Sequence, residues 1–204
     1  MKTRSLISTA LALAVLAPTT LVSPALAAEP SSPTEWAIDP THTTVGFTVT
    51  HMVVSEVDGQ FKQYSGKVLL DEKDPTKSSV ELTIQVASID TGVADRDKHL
   101  RTSDFFDAEK NPTITFKSTK ITKAGKGFKI KGDLQIRGVT KQVTLDATLS
   151  DAVTNPWGKQ VRGAKLTTTI NRLDYGVSWN KGLDKGGLAV GNDVTITVKT
   201  ELNK

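Results

Sequence analysis

Three polar side chains in this sequence have the residue types and spacing for ligand chemistry. Arg96 and His99 are three positions apart, so a helix would place them on one face. A guanidinium offers a fork of N–H donors that suits phosphate, and a protonated imidazole donates from both ring nitrogens. His51 ends a row of alternating apolar residues. We therefore predict that Arg96, His99 and His51 contact the polar head group of a ligand.

Each of these residues also has a plain structural interpretation. Arg96 and Asp97 would pair locally or cap the helix, and His51 would be a hydrogen-bonded core histidine. The three histidines, His42 among them, form no HxxxH or HExxH pair, so we expect no metal site.

The sequence offers little support for catalysis. It has no cysteine, no G-x-S-x-G elbow and no glycine-rich phosphate loop. We predict that the protein is not an enzyme, has no catalytic residues and needs no cofactor. An enzyme that acts on an amphiphile, with His51 or His99 as acid or base, is the alternative.

The stretch that carries Arg96 and His99 interrupts a chain of alternating strands. Val93, Arg96, Asp97 and Leu100 have the i, i+3, i+4, i+7 spacing of one helix face. An aromatic pair that includes Phe106 follows, and a proline then favours the return to a strand. We predict a short helical insertion around residues 92–107.

The remaining segments alternate apolar and polar residues with the period of a half-buried strand. Residues 80–86 give the clearest pattern, residues 61–70 are predicted as one strand, and residues 171–191 as a loop rich in Gly, Asn and Lys. Short connections between amphipathic strands favour an antiparallel barrel or a sandwich. Because the outward rows carry Lys, Thr, Glu and Gln, the strands are not expected to face lipid.

A barrel of about eight strands is filled by side chains or encloses one small ligand. The inward rows are mostly aliphatic, and only 5% of all residues are aromatic, so an apolar tunnel for an isoprenoid or acyl chain is one prediction and a packed core the other. By alternation, the residues that line the tunnel or fill the core are Val45, Phe47, Val49, Leu82, Ile84, Phe116, Leu134, Ile136 and Leu145, with Phe106 added from the insertion.

The N-terminus has the pattern of a secretory signal peptide. Lys2 and Arg4 precede an apolar run, and Ala25-Leu26-Ala27 matches the small-x-small cleavage pattern. We predict a signal peptide at residues 1–27, a flexible leader at 28–34 and one domain at 35–204. The net charge of +4 is spread along the chain, which is not typical of a nucleic-acid-binding surface.

Taken together, the blocks resemble the YceI-like family of exported bacterial proteins. His51, Ser55, Val57, Gly59 and Phe61 match its H-x3-S-x-V-x-G-x-F spacing. Further blocks lie at residues 38–49, 96–116, 132–143, 174–176 and 194–198, so that the resemblance covers roughly residues 35–202.

The resemblance implies an all-β, eight-stranded antiparallel lipocalin-like barrel in the periplasm. The implied ligand is a long isoprenoid, such as a polyprenyl phosphate or a quinone side chain, or a similar amphiphile. The implied partners are therefore lipids and, as in many family members, a second copy in a homodimer, with no nucleic acid and no embedding in the membrane. A stress-associated structural module without a ligand is the remaining alternative.

Overall fold

The computed structural model describes residues 32–184 and 186–204. The predicted signal peptide and residues 28–31 of the predicted leader lie outside these residues, so both stay predictions. The first strand begins at Thr34, one residue before the predicted start of the domain.

Twelve strands make up most of the described chain, and their bounds follow the alternation of apolar residues. They are β1 (Thr34–Ile38), β2 (Thr44–His51), β3 (Ser55–Phe61), β4 (Tyr64–Leu70), β5 (Ser79–Gln85), β6 (Ile89–Asp90), β7 (Thr113–Ala124), β8 (Gly127–Ile136), β9 (Val139–Leu149), β10 (Val153–Thr154), β11 (Gln160–Asn171) and β12 (Val190–Asn203).

Eight of these strands close into an antiparallel barrel in the order β1-β4-β5-β7-β8-β9-β11-β12. The ring closes because β12 pairs with β11 over eleven positions and its last residues pair with β1. On the β1 side, most of β12 pairs instead with β2, which continues through β3 to β6. Closure gives the inward side chains of every barrel strand one common interior, and it confirms the predicted fold class.

One strand prediction was wrong. Residues 61–70 do not form a single strand, because β3 ends at Phe61 and β4 begins at Tyr64. At the corner, the N–H of Lys62 donates to the carbonyl of Ser88 at 3.1 Å, and the N–H of Gln63 donates to the Ser88 hydroxyl at 3.0 Å. These bonds turn the chain. As a result, β3 pairs with β2 and β6, whereas β4 pairs with β1 and β5.

The insertion after β6 contains helix α1 (Ala94–Arg101), as predicted. Short 3-10 turns lie at Pro75–Lys77 (η1), Val86–Ser88 (η2) and Arg172–Tyr175 (η3). No helix within the described residues is long and apolar enough to span a membrane.

Two glycines make room for aromatic rings of the interior. A Cβ at Gly59 would lie 2.3 Å from the ring of Phe47 on the paired strand, and a Cβ at Gly132 would lie 2.5 Å from the ring of Phe116. Gly132 also faces a break in the β7–β8 register next to Ser118. Glycine therefore allows these rings to lie flat against the neighbouring strand.

Candidate functional site: an apolar cavity with one charged wall residue

The barrel encloses a cavity of about 250 Å³. This volume is just below the range that is usual for small-molecule sites, ~300–1,000 Å³. The lining comes from strands all around the barrel and from the insertion, which contributes Leu100, Phe105 and Phe106. The interior is therefore hollow at its centre.

All ten residues predicted for the interior, nine from the alternation and Phe106 from the insertion, lie in the cavity wall: Val45, Phe47, Val49, Leu82, Ile84, Phe106, Phe116, Leu134, Ile136 and Leu145. Several of them, such as Val45 and Leu134, are also almost completely buried. Strand parity was sufficient to find the nine strand residues because inward and outward positions largely alternate along these segments. Whether these side chains contact a ligand remains a prediction.

The three side chains predicted to contact a head group do not line the cavity. The guanidinium of Arg96 donates to the hydroxyl and carbonyl of Thr91, at 2.7 and 2.8 Å. The same hydroxyl and the N–H of Thr91 donate to the buried carboxylate of Asp97, at 2.6 and 2.9 Å. Arg96 is thus engaged in a local network at the start of α1, which is its structural interpretation.

His99 lies on α1, as predicted, and contacts a carboxylate and two aromatic rings. Its Nε2 lies 2.8 Å from a carboxylate oxygen of Asp104. Its ring meets the rings of Phe105 and Trp179 edge to face, each with centroids 5.1 Å apart. His99 therefore packs the insertion against the 171–191 segment. His51 is the last residue of β2 and pairs with Val190. A head-group contact for Arg96, His99 or His51 stays a prediction.

The one charged residue among the described residues of the cavity wall is Arg172, which is only 5% exposed. Its Nε donates to the carbonyl of Gly191 at 2.8 Å, and one terminal nitrogen donates to Val177 and Trp179 at 2.6 and 3.0 Å. The other terminal nitrogen donates to the carbonyl of Val190 at 3.2 Å. Burial lowers the pKa of Arg172 from its ordinary value, yet a guanidinium stays protonated in proteins.

The wall also contains Tyr175, which is 2% exposed. Its hydroxyl is buried and has no hydrogen-bond partner among the described residues. Burial, with a smaller contribution from the charge of Asp174, raises the pKa of Tyr175 to about 12. The hydroxyl is therefore a neutral donor over the physiological pH range.

Local sequence explains how η3 places both side chains. The side chain of Asn171 accepts from the N–H of Leu173 at 3.0 Å and begins the turn. Gly176 ends it with a φ of 71°, in the left-handed region that glycine tolerates. A single turn between these two caps puts Arg172 and Tyr175, three positions apart, against the same cavity.

We did not predict Arg172 or Tyr175 as site residues. A signal was nevertheless present, since Ala164, Leu166 and Ile170 alternate inward on β11 and Arg172 continues their parity. The loop-like composition of residues 171–191 concealed this continuation. A charged residue in phase with an inward row is the pattern that would have identified it.

A further polar cluster lies outside the cavity. Side-chain atoms of Asp39, His42 and Glu201 that could ligate a metal ion come within 4.8 Å of one another. A ring nitrogen of His42 lies 3.0 Å from Asp39. The hydrogen bond to Asp39, with a further contribution from the charge of Glu201, raises the pKa of His42. His42 is exposed, whereas Asp39 and Glu201 are half-buried. These groups partner one another and do not line the cavity.

Comparison with known proteins decides the family. The family model for the YceI-like domain matches residues 36–202. The chain belongs to the YceI-like family. Among its relatives, a UPF0312 protein of Serratia proteamaculans is 41% identical over 141 residues, which cover 69% of this chain and 73% of the relative. A UPF0312 protein of Staphylococcus epidermidis is 37% identical over 171 residues, covering 83% and 98%.

Several solved structures are similar in fold to this chain. BcnA of Burkholderia cenocepacia is 25% identical with a TM-score of 0.71, over 80% of this chain and 98% of BcnA. The YCEI protein of Campylobacter jejuni is 31% identical with a TM-score of 0.65, covering 76% and 89%. A polyisoprenoid binding domain of Saccharophagus degradans is 12% identical with a TM-score of 0.56, covering 82% and 97%, so this likeness is one of fold.

Proposed function

We propose that this YceI-like protein binds a long isoprenoid, or a similar amphiphile, inside its barrel and carries or sequesters it in the periplasm. The observation that carries the proposal is the closed barrel with an apolar cavity at its centre. Binding would be driven by removing the chain's apolar surface from water, at ~25 cal/mol per Å² before entropic costs.

The family supports binding over catalysis. The Saccharophagus neighbour is described as polyisoprenoid binding, a description of binding and not of a reaction. The cavity wall of this chain is correspondingly aliphatic and aromatic, and its two notable polar residues, Arg172 and Tyr175, are buried rather than open to water. Export to the periplasm is supported by the signal-peptide pattern of residues 1–27.

Native mass spectrometry of the protein purified from its host tests the proposal. We expect an added mass that corresponds to a prenyl lipid or related amphiphile, and uptake of prenyl phosphates or prenyl quinones after delipidation. Repeated preparations without bound lipid, combined with no uptake of either class, would overturn it.

Two tryptophan substitutions on β8 show whether the cavity is the binding site. Leu134→Trp fills the cavity from an inward position, and Asp133→Trp adds the same ring at the adjacent outward position. The proposal requires that L134W loses lipid uptake while D133W retains it. Circular dichroism establishes that both variants fold, and equal uptake by two folded variants would contradict an internal site.

A further inference from the structure

Arg172 is a buried charge that the fold does not neutralise. It makes four hydrogen bonds, all to neutral backbone carbonyls, and no carboxylate of the described residues pairs with it. Burying a charge without a counter-ion is costly, so such groups are usually paired or placed where a ligand completes them. A guanidinium has five N–H donors, which leaves one on the outer nitrogen that bonds Val190.

Tyr175 is incomplete in the same way. Its hydroxyl is buried and unpartnered within residues 32–184 and 186–204. Leaving a buried hydroxyl unpaired is costly, and the great majority of buried polar atoms in proteins have a partner. Both residues therefore lie on one 3-10 turn and line one cavity whose wall is otherwise mostly apolar.

We propose that Arg172 and Tyr175 form an internal site for the polar end of the bound amphiphile, which they would recognise through an acceptor oxygen. This inference rests on the proposed function, because it assumes that an amphiphile occupies the barrel. Both side chains are buried, so the polar end lies inside the protein and the hydrocarbon chain extends from it along the apolar wall. An oxygen that accepts from both groups completes the hydrogen bonding of Tyr175 and, where the head is anionic, also compensates the charge of Arg172.

The site has the support of a rigid frame. The four carbonyls that fix the guanidinium belong to residues 177, 179, 190 and 191, on either side of a long loop. The side chain of Asn180 reinforces the same closure, because it donates to the carbonyl of Val190 at 2.7 Å and accepts from the Val190 N–H at 3.1 Å. The guanidinium is thus held in place before a ligand arrives, which reduces the entropic cost of binding.

The test uses the delipidated full-length mature protein and three probes with the same C20 prenyl chain: a monophosphate, a quinone and a hydrocarbon without oxygen. Tyr175→Phe removes only the hydroxyl. Tyr64→Phe is the matched control, since Tyr64 is the other tyrosine of the chain and its hydroxyl donates to the carbonyl of Thr43 at 3.0 Å.

We expect Y175F to weaken the phosphate and the quinone about five- to tenfold, the value of one hydrogen bond, and to leave the affinity for the hydrocarbon unchanged. Y64F should bind all three like the unmodified protein. Arg172→Gln should weaken the phosphate more than the quinone if the head is anionic, and both to the same extent if the site recognises a neutral carbonyl.

Distinct results separate this inference from the proposed function. If the unmodified protein binds the probes and Y175F changes either none of the affinities or all three equally, the internal head-group site is wrong and the lipid-binding function stands. If the unmodified protein binds none of the three, the proposed function fails and the inference fails with it.

Discussion

Two segments of the molecule can be compared, the insertion, whose helix α1 carries Arg96, and the 171–191 segment, whose turn η3 carries Arg172. The rings of Phe105 and Trp179, with centroids 5.2 Å apart, bring the two segments together. Arg96 on α1 is half-buried and bonds a threonine five residues away in the chain. Arg172 on η3 is almost completely buried and joins carbonyls up to 19 residues away. The comparison teaches that a basic residue close to a cavity is a head-group candidate only when the backbone directs its side chain into the wall.

The largest expected difference between the two segments is in stability. Arg172→Met removes four hydrogen bonds to backbone carbonyls, of which the one at Val190 keeps Asn180 as a second donor, so we expect the free energy of unfolding to fall by at least about 3 kcal/mol. Arg96→Met removes a local network, and we expect a loss of about 1 kcal/mol. Urea unfolding monitored by tryptophan fluorescence measures both. Equal losses would show that the two arginines have the same structural role.

The contrast also explains which features of the fold and of the cavity wall could be predicted from the sequence. The resemblance to the family was needed to choose a barrel over a sandwich, and the insertion supplied Phe106. Period-two alternation identified nine of the apolar wall residues, because a closed barrel keeps inward and outward positions in register over whole strands. It did not identify Arg172, whose placement depends on a turn and on carbonyls supplied by a distant loop. It also gave no reason to separate β3 from β4, since the corner is made by bonds to Ser88.

Arg137 links the two segments, which allows a test of their coupling. Its guanidinium donates to the carbonyl of Ser103 at 2.7 Å and to the carbonyl of Gly176. Arg137→Ala should cost about 1–2 kcal/mol and speed amide hydrogen exchange in both segments, for example at Phe106 and Val177. Lys129→Ala, which removes an outward ion pair with Asp146 on the neighbouring strand, is the control. Faster exchange in only one segment would show that they open independently.

A smaller effect concerns Tyr175 at alkaline pH. Because burial raises its pKa in the folded protein to about 12, above the ordinary value of about 10, folding favours the protonated phenol. That contribution to stability is complete below about pH 10 and is lost as the pH rises towards 12. Tyr175→Phe should therefore lose less stability than the unmodified protein between pH 10 and 12. Identical pH profiles would mean that the hydroxyl is hydrated.

The smallest effect is expected at the polar cluster of Asp39, His42 and Glu201, which lies outside the cavity. Asp39 raises the pKa of His42 mainly through their hydrogen bond, and Glu201 does so through its charge alone. Asp39→Asn should therefore lower the pKa of His42 more than Glu201→Gln does, as followed by the NMR shift of its ring protons. Because the pKa is raised in the folded state, the stabilising contribution is fully present below the ordinary value of about 6.5 and is lost as the pH rises through the folded value. A larger effect of E201Q than of D39N would mean that the hydrogen bond between His42 and Asp39 does not persist in solution. Such a result would sharpen the contrast with Arg172, because the partners of Arg172 are backbone carbonyls that the fold holds in place.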